Sequence, residues 1–517
     1  MFSLAMTNKR KIFFYIFIIS LLFKPLWLFE TNKINEQDDL SYWLHSYTVA
    51  NDFDIEYQDD HNFSSTIFHP ETKAPYHPPG AGYMTSPFVF VFSIGDSFQE
   101  KIVNAENPVR SFGYAGYFAG SLFYCLLGFY LLALTVSKNN YHHYKLLYLI
   151  ILLSSLVHFV STRFLMSHSV EFFLCSWLIF LYETKKNFLL TNNFLQLLTC
   201  YFLLAISRPS TFIYSLILLG VYTKKFNNPN KKSFEIKHIL IVSLFISGYI
   251  LLSLKLYDEP AILLNLSSNT TTSSFVKDIN LSFFINSLMN LPNFIFSPSL
   301  GIIWIMPSIF FSILITLFFR RKMTEFSSFN LFFLSMYFLL GVSILFIWQG
   351  RDVAFGQRLA IGLLPMSFII ISKVKIKYKQ PFYLYSTLLY MIYLYFYSPN
   401  LSLVEGKTLW GNIVKFAPTD YLIKLFNNFY EIENIFYILF KSIYSINFFK
   451  FVNTERLLNN NFASSFITSN NLSDKLNSNI ETYSSIDTAY LLLVTLLIFA
   501  FSYLFTKIMH KNEFLNN

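Results

Sequence analysis

The chain has 517 residues, of which 54% are hydrophobic, 20% aromatic and only 13% charged, with a formal net charge of +9. A soluble domain has no means of burying that much apolar surface, so 62 Phe residues among so few charges point to a bilayer as the solvent. The basic balance does not signal nucleic acid, because Lys and Arg sit in short clusters between apolar runs, which is a topological pattern.

Apolar runs long enough to cross ~30 Å of hydrocarbon recur near residues 11–29, 113–136, 146–162, 167–183, 188–206 and 209–223. Others follow near 238–257, 299–319, 328–348, 358–372, 381–398 and 488–506. The expected architecture is therefore an all-α polytopic membrane protein with about twelve transmembrane helices. Every second short loop carries the cations: Lys9, Arg10 and Lys11; Lys185 and Lys186; Lys224 through Lys237; Arg320, Arg321 and Lys322; Lys373 through Lys379; Lys507 and Lys511. By the positive-inside bias both termini face the cytoplasm. The first run is expected to stay as an anchor, since Lys24 and Pro25 interrupt it and no small-residue cleavage site follows. Cys125, Cys175 and Cys200 each lie inside an apolar run, which leaves neither a disulfide framework nor a thiolate metal site.

This orientation puts residues 30–112, 258–298 and 399–487 outside. The first of these segments holds 13 of the 30 acidic residues. The last is rich in Asn and Ser and reads as a small, mostly helical external domain. The division expected is a transmembrane domain over 1–398, an external domain over 399–487, and a final helix with a cytoplasmic tail over 488–517. No internal repeat is visible, which argues against a repeat-built transporter.

Directly after the first run comes Glu36-Gln37-Asp38-Asp39-Leu40-Ser41-Tyr42-Trp43, a carboxylate pair held at headgroup depth. Asp39 alone could cap a helix starting at Leu40, with Tyr42 and Trp43 in the aromatic belt; one cap does not require a second carboxylate. Further on, Tyr76-His77-Pro78-Pro79-Gly80 fixes the backbone around His77, although such strings also make ordinary turns. Residues 83–99 are apolar but short, suited to the interface beside the acidic loop. Ser207-Arg208-Pro209 and Gly350-Arg351-Asp352, with Gly356-Gln357-Arg358, place guanidinium groups next to spans, where they match a phosphate or simply snorkel. Arg358 opens an apolar run, where an unpaired charge is expensive. Pro298, Gly301 and Pro307 are expected to distort the span near 299–319. His158, Arg163 and His168 form no known ligand pattern and read as structural.

Taken in order, these motifs resemble the GT-C type of membrane glycosyltransferase, and are similar to those of protein mannosyltransferases and aminoarabinose-transferase-like enzymes. The elements that carry the resemblance are an acidic pair after the first span, a following aromatic, a His-Pro-Pro, a short interfacial helix, a Ser-Pro-x-x-Gly stretch with a later Pro, and a Gly-x-Arg entering a late span. It covers residues 1 to about 400 and is strongest over 36–90 and 296–365. The resemblance implies transfer of a sugar from a polyprenyl-phosphate donor to an acceptor hydroxyl of a glycolipid, polysaccharide or protein, on the extracytoplasmic side of the membrane. The low charge and abundance of Phe, Asn, Ile and Lys suggest a low-GC, bacterial genome, and so a bacterial inner membrane. It maps the acidic pair to Asp38 and Asp39, with either as general base; the family's pair is commonly Asp-Glu. Arg358, Arg351, His77 and Arg208 would bind the donor phosphate, and Tyr42, Trp43 and Tyr76 would contact acceptor or sugar. A divalent metal ion held by Asp39 and His77 is left open. Direct displacement by one base would invert the anomeric centre. The competing expectations are an O-antigen or polysaccharide polymerase or ligase, and, from another class, a transporter with ionisable residues inside its spans.

Overall fold

The computed structural model describes residues 37–57, 68, 72, 74–98, 111–138, 154, 156–161, 163–185, 187–222, 235–260, 262, 302, 306–318, 328–349 and 358–373. The expected spans near 11–29, 381–398 and 488–506, the external domain over 399–487 and the cytoplasmic tail lie outside the described residues.

The described residues are helical, with no strand beyond an isolated bridge between Phe68 and Pro75. In chain order the helices are α1 (Gln37–Asp52), α2 (Gly80–Phe98), α3 (Phe112–Lys138), α4 (Leu156–Ser161), α5 (His168–Thr184) and α6 (Thr191–Ser207). There follow α7 (Pro209–Ser215), α8 (Ile217–Val221), α9 (Ile236–Tyr257), α10 (Pro307–Phe318), α11 (Ser328–Gln349), a 3-10 helix (Arg358–Leu363) and α12 (Leu364–Lys373). Two stretches, Phe112–Thr135 of α3 and the whole of α9, are long and apolar enough to cross a membrane.

The run near 209–223 is an apolar helical stretch over Pro209–Val221. Pro209 opens it, and a single turn residue, Leu216, marks the join between α7 and α8. The run near 299–319 is described as helix from Pro307 onward, the proline opening it at a position where its missing N–H leaves no bond unmade. The last described run begins as a 3-10 turn at Arg358 before becoming α12.

The α5 helix is apolar nearly all round and buried along most of its length, as expected of a central helix. Packed around it are α3, α6, the 3-10 helix and α12. By contrast α9 turns Ile239, Leu240, Leu244 and Leu251 outward, each more than half exposed, and α2 is inverted relative to a soluble helix. It buries Thr85, Ser86 and Asp96 while exposing Phe90, Val91, Ile94 and Phe98. That polarity suits a helix whose outer neighbour is apolar. Asp96 accepts the N–H groups of Phe112 and Gly113 at 2.8 Å each, so one buried carboxylate caps α3 and ties α2 to it.

A second small core holds the loop after α1 in place: Tyr57 and Ala74 pack with Ile206 of α6 and Leu256 and Tyr257 of α9. At the other end of the bundle Lys373 meets Glu183 at 3.1 Å and Tyr222 donates to the same carboxylate at 2.6 Å. Lys185 and Lys237 lie toward that end too, since α5 finishes there and α9 starts beside Leu189.

Candidate functional site

The α1 helix starts at Gln37, so Asp38 and Asp39 both fall in its first turn, where carboxylates face the positive end of the helix dipole. This revises the expectation that Asp39 caps a helix beginning at Leu40. Neighbouring helical residues point about 100° apart, and the two carboxylates accordingly have different partners. Asp38 is partly exposed and lies 3.3 Å from His77 Nε2. Asp39 is buried and its Oδ2 accepts Arg163 Nε–H at 3.1 Å.

His77 is held by its backbone. Its N–H donates to Ser41 Oγ at 3.2 Å, and its carbonyl accepts from His45 Nε2 at 2.8 Å and Tyr257 O–H at 2.9 Å. Because a carbonyl can only accept, His45 carries its proton on Nε2 and uses Nδ1 to accept from Tyr57 O–H at 2.5 Å. Full burial lowers the His45 pKa to about 3, so this imidazole stays neutral. The following Pro78 and Pro79 lead into the buried Gly80, Ala81 and Gly82 of α2. A Cβ on Gly82 would lie 2.8 Å from the Tyr42 carbonyl, so only glycine lets α2 approach α1 this closely.

Among the aromatics, Tyr42 is buried, makes an edge contact with His77 at 5.3 Å between centroids, and accepts a hydrogen bond from Ser167 at 3.2 Å. Trp43 is fully buried against Tyr47, Tyr114 and Tyr117 and presents no surface to a ligand. Tyr76 remains partly exposed, and desolvation raises its pKa.

Arg208 stands at the joint between α6 and α7. A residue preceding proline is disfavoured in the α region, and Arg208 adopts φ −149° and ψ 82°, which bends the chain there. Its guanidinium is turned inward, with Nε 3.2 Å from Glu171. Among the described residues neither Nε nor buried Nη2 has a hydrogen-bond partner, and leaving such a donor unsatisfied costs about 1–3 kcal/mol. Gly80 packs directly on Ile206 and Ser207, bringing the His-Pro-Pro loop over this joint. The Asp38–His77 and Arg208 groups therefore share one end of the bundle. The backbone of Arg358 opens the 3-10 helix, whose Gly362 donates its N–H to Glu171. Arg351 lies outside the described residues.

Three residues were not singled out for a role from the sequence alone. Arg163 and His168, read there as structural, pair with Asp39 and Glu171, the latter at 3.0 Å from His168 Nδ1. Glu171 itself is an acid within an apolar run, and that was the available signal. Among the described residues no group of three or more His, Cys, Asp or Glu side chains could hold a metal ion. Asp39 faces a guanidinium and His77 faces Asp38, so a cation shared by Asp39 and His77 has no third ligand among those residues.

No protein-family model matches this sequence, and neither a curated protein nor a solved structure is detectably similar to it.

Proposed function

We propose that this chain is a polytopic membrane glycosyltransferase of the GT-C kind, with about twelve spans. It moves a sugar from a polyprenyl-phosphate donor to an acceptor hydroxyl on the extracytoplasmic face, with inversion. The observation that carries this reading is the division of labour within the acidic pair. Asp38 is reachable and oriented by His77, while Asp39 is committed to Arg163. The reachable carboxylate suits a general base.

Asp38 takes the proton of the acceptor hydroxyl as the acceptor oxygen bonds to the anomeric carbon. The bond from that carbon to the donor phosphate breaks, and polyprenyl phosphate leaves with the electron pair. Its growing negative charge needs fixed donors. Arg208, whose Nη2 has no hydrogen-bond partner among the described residues, suits that need, and the resemblance gives Arg358 and Arg351 the same role. Asp39 with Arg163 sets the first turn of α1, and Tyr76 is the aromatic placed to touch a sugar. The segregation of Lys185, Lys237 and Lys373 at the opposite end of the bundle supports an extracytoplasmic site.

The test is sugar transfer from a synthetic pool of polyprenyl-phosphate sugars to total membrane extract, comparing wild type with Asp38→Asn and Asp39→Asn at matched expression. Loss of transfer in Asp38→Asn with donor binding intact identifies the base. Lengthening of a glycan chain rather than single transfer would instead indicate a polysaccharide polymerase or ligase. A second reading, a transporter, is favoured by one observation, the Glu171, His168 and Arg208 cluster buried among apolar helices. It predicts no transfer by the wild type and solute uptake lost in Glu171→Gln.

A further inference from the structure

Glu171 lies in the first turn of α5 and is fully buried. A carboxylate in such surroundings must be compensated from several sides. His168 Nδ1 at 3.0 Å and Arg208 Nε at 3.2 Å approach Oε2. Thr211 O–H donates to Oε1, and the Gly362 N–H also donates to the carboxylate.

These partners belong to separate segments. Arg208 is the α6–α7 joint, Thr211 is in the first turn of α7, and Gly362 lies in the 3-10 helix that Arg358 opens. The contact to that helix is close. A Cβ at Gly362 would lie 2.8 Å from Glu171 Oε1 and would collide with the Tyr214 hydroxyl. Tyr214 donates to Thr211 at 3.2 Å, and Tyr337 donates to the Gly362 carbonyl at 3.3 Å. The distance between Arg208 and the backbone carrying Arg358 is thus set by the reach of one carboxylate.

We propose that Glu171 is a positioning residue, holding the α6–α7 joint and the backbone of the 3-10 helix in one register so that Arg208 addresses the donor phosphate. The proposal rests on the glycosyltransferase reading above. A carboxylate that served only to neutralise a buried guanidinium would need charge but no particular length. Asp provides that charge one methylene shorter, which separates the two roles.

The experiment uses the full-length protein in nanodiscs and a sugar-free long-chain polyprenyl phosphate as probe. Wild type, Glu171→Asp, Arg208→Gln and the double variant are compared by equilibrium binding, with helical circular dichroism as the check on folding. Glu171→Asp should bind about tenfold more weakly. In the Arg208→Gln background the same change should matter less than about twofold, because the two act as one unit. Wild-type affinity in folded Glu171→Asp overturns the positioning role and leaves charge neutralisation. If the wild type itself does not bind the probe, the glycosyltransferase reading falls and this proposal with it. Should Glu171→Asp not fold, Gly362→Ala disturbs the same register without altering charge. Unchanged binding in that folded variant overturns the proposal equally.

Discussion

Asp39 and Arg163 stand 124 positions apart in the chain, and their side chains meet at 3.1 Å. The pair is largely enclosed, with 13% and 5% of the two side chains exposed, whereas Asp38 and His77 retain 28% and 30%. Removing one charge of an enclosed pair strands the other and costs about 3 kcal/mol, while an exposed pair is worth under about 1 kcal/mol. Asp39→Asn should therefore lower the thermal unfolding midpoint clearly, and Asp38→Asn should hardly move it while abolishing transfer. Differential scanning fluorimetry of both variants checks this, and equal shifts would dissolve the distinction between the two carboxylates.

His45 makes the loop sensitive to acid. Its pKa is lowered from 6.5 to about 3 by burial, so the unfolded chain binds a proton that the folded chain refuses. The stability this contributes is complete above pH 6.5 and is lost as pH falls toward 3, at up to ~1.4 kcal/mol per pH unit. Unfolding measured at pH 7.5 and at pH 5 should show the wild type weakened in acid, and His45→Gln should flatten that slope. An unchanged slope would mean that His45 is not the group responsible.

Gly82→Ala should fold poorly or lose activity, since the added methyl meets the Tyr42 carbonyl and the backbone N–H of Ser46, within 2.8 and 3.0 Å. Both are backbone atoms of α1 and cannot rotate aside, so overpacking of about 1–3 kcal/mol is expected. Gly248→Ala is the control, because nothing lies within 4 Å of a Cβ there. Parallel denaturation of the two variants decides the matter; similar behaviour would refute the close approach of α1 and α2.

Pro209→Ala lifts the bar on helical conformation at Arg208. The joint can then straighten and carry the guanidinium away from Glu171. The expected outcome is a KM for the lipid donor raised about tenfold with kcat little altered, read from steady-state transfer assays. A change in kcat alone would place Arg208 elsewhere in the reaction.

The helices were legible wherever an apolar run was long and unbroken, as for α3 and α9, because hydropathy needs no knowledge of neighbours. Breaks were less legible. The turn at Leu216 within residues 209–223 has no proline or glycine to announce it. Asp38, His77 and Arg208 stood out because charge and proline are rare beside apolar runs. Their pairings did not, since nothing local links Asp39 to Arg163 or Glu171 to Gly362; such contacts emerge only when distant helices pack. Trp43 shows the opposite failure. An aromatic beside the membrane surface reads as a ligand contact, yet it is fully buried among tyrosines.

The His77 carbonyl is gripped by His45 from within the first acidic loop and by Tyr257 from 180 residues further along. Synthesis at about 5–20 residues per second separates those two grips by roughly 10–35 s. During that interval the acidic loop has emerged with only half of its clasp. Newly made chains must therefore pass through a stage in which Asp38 and His77 are present but unset, and the arrival of α9 completes the site.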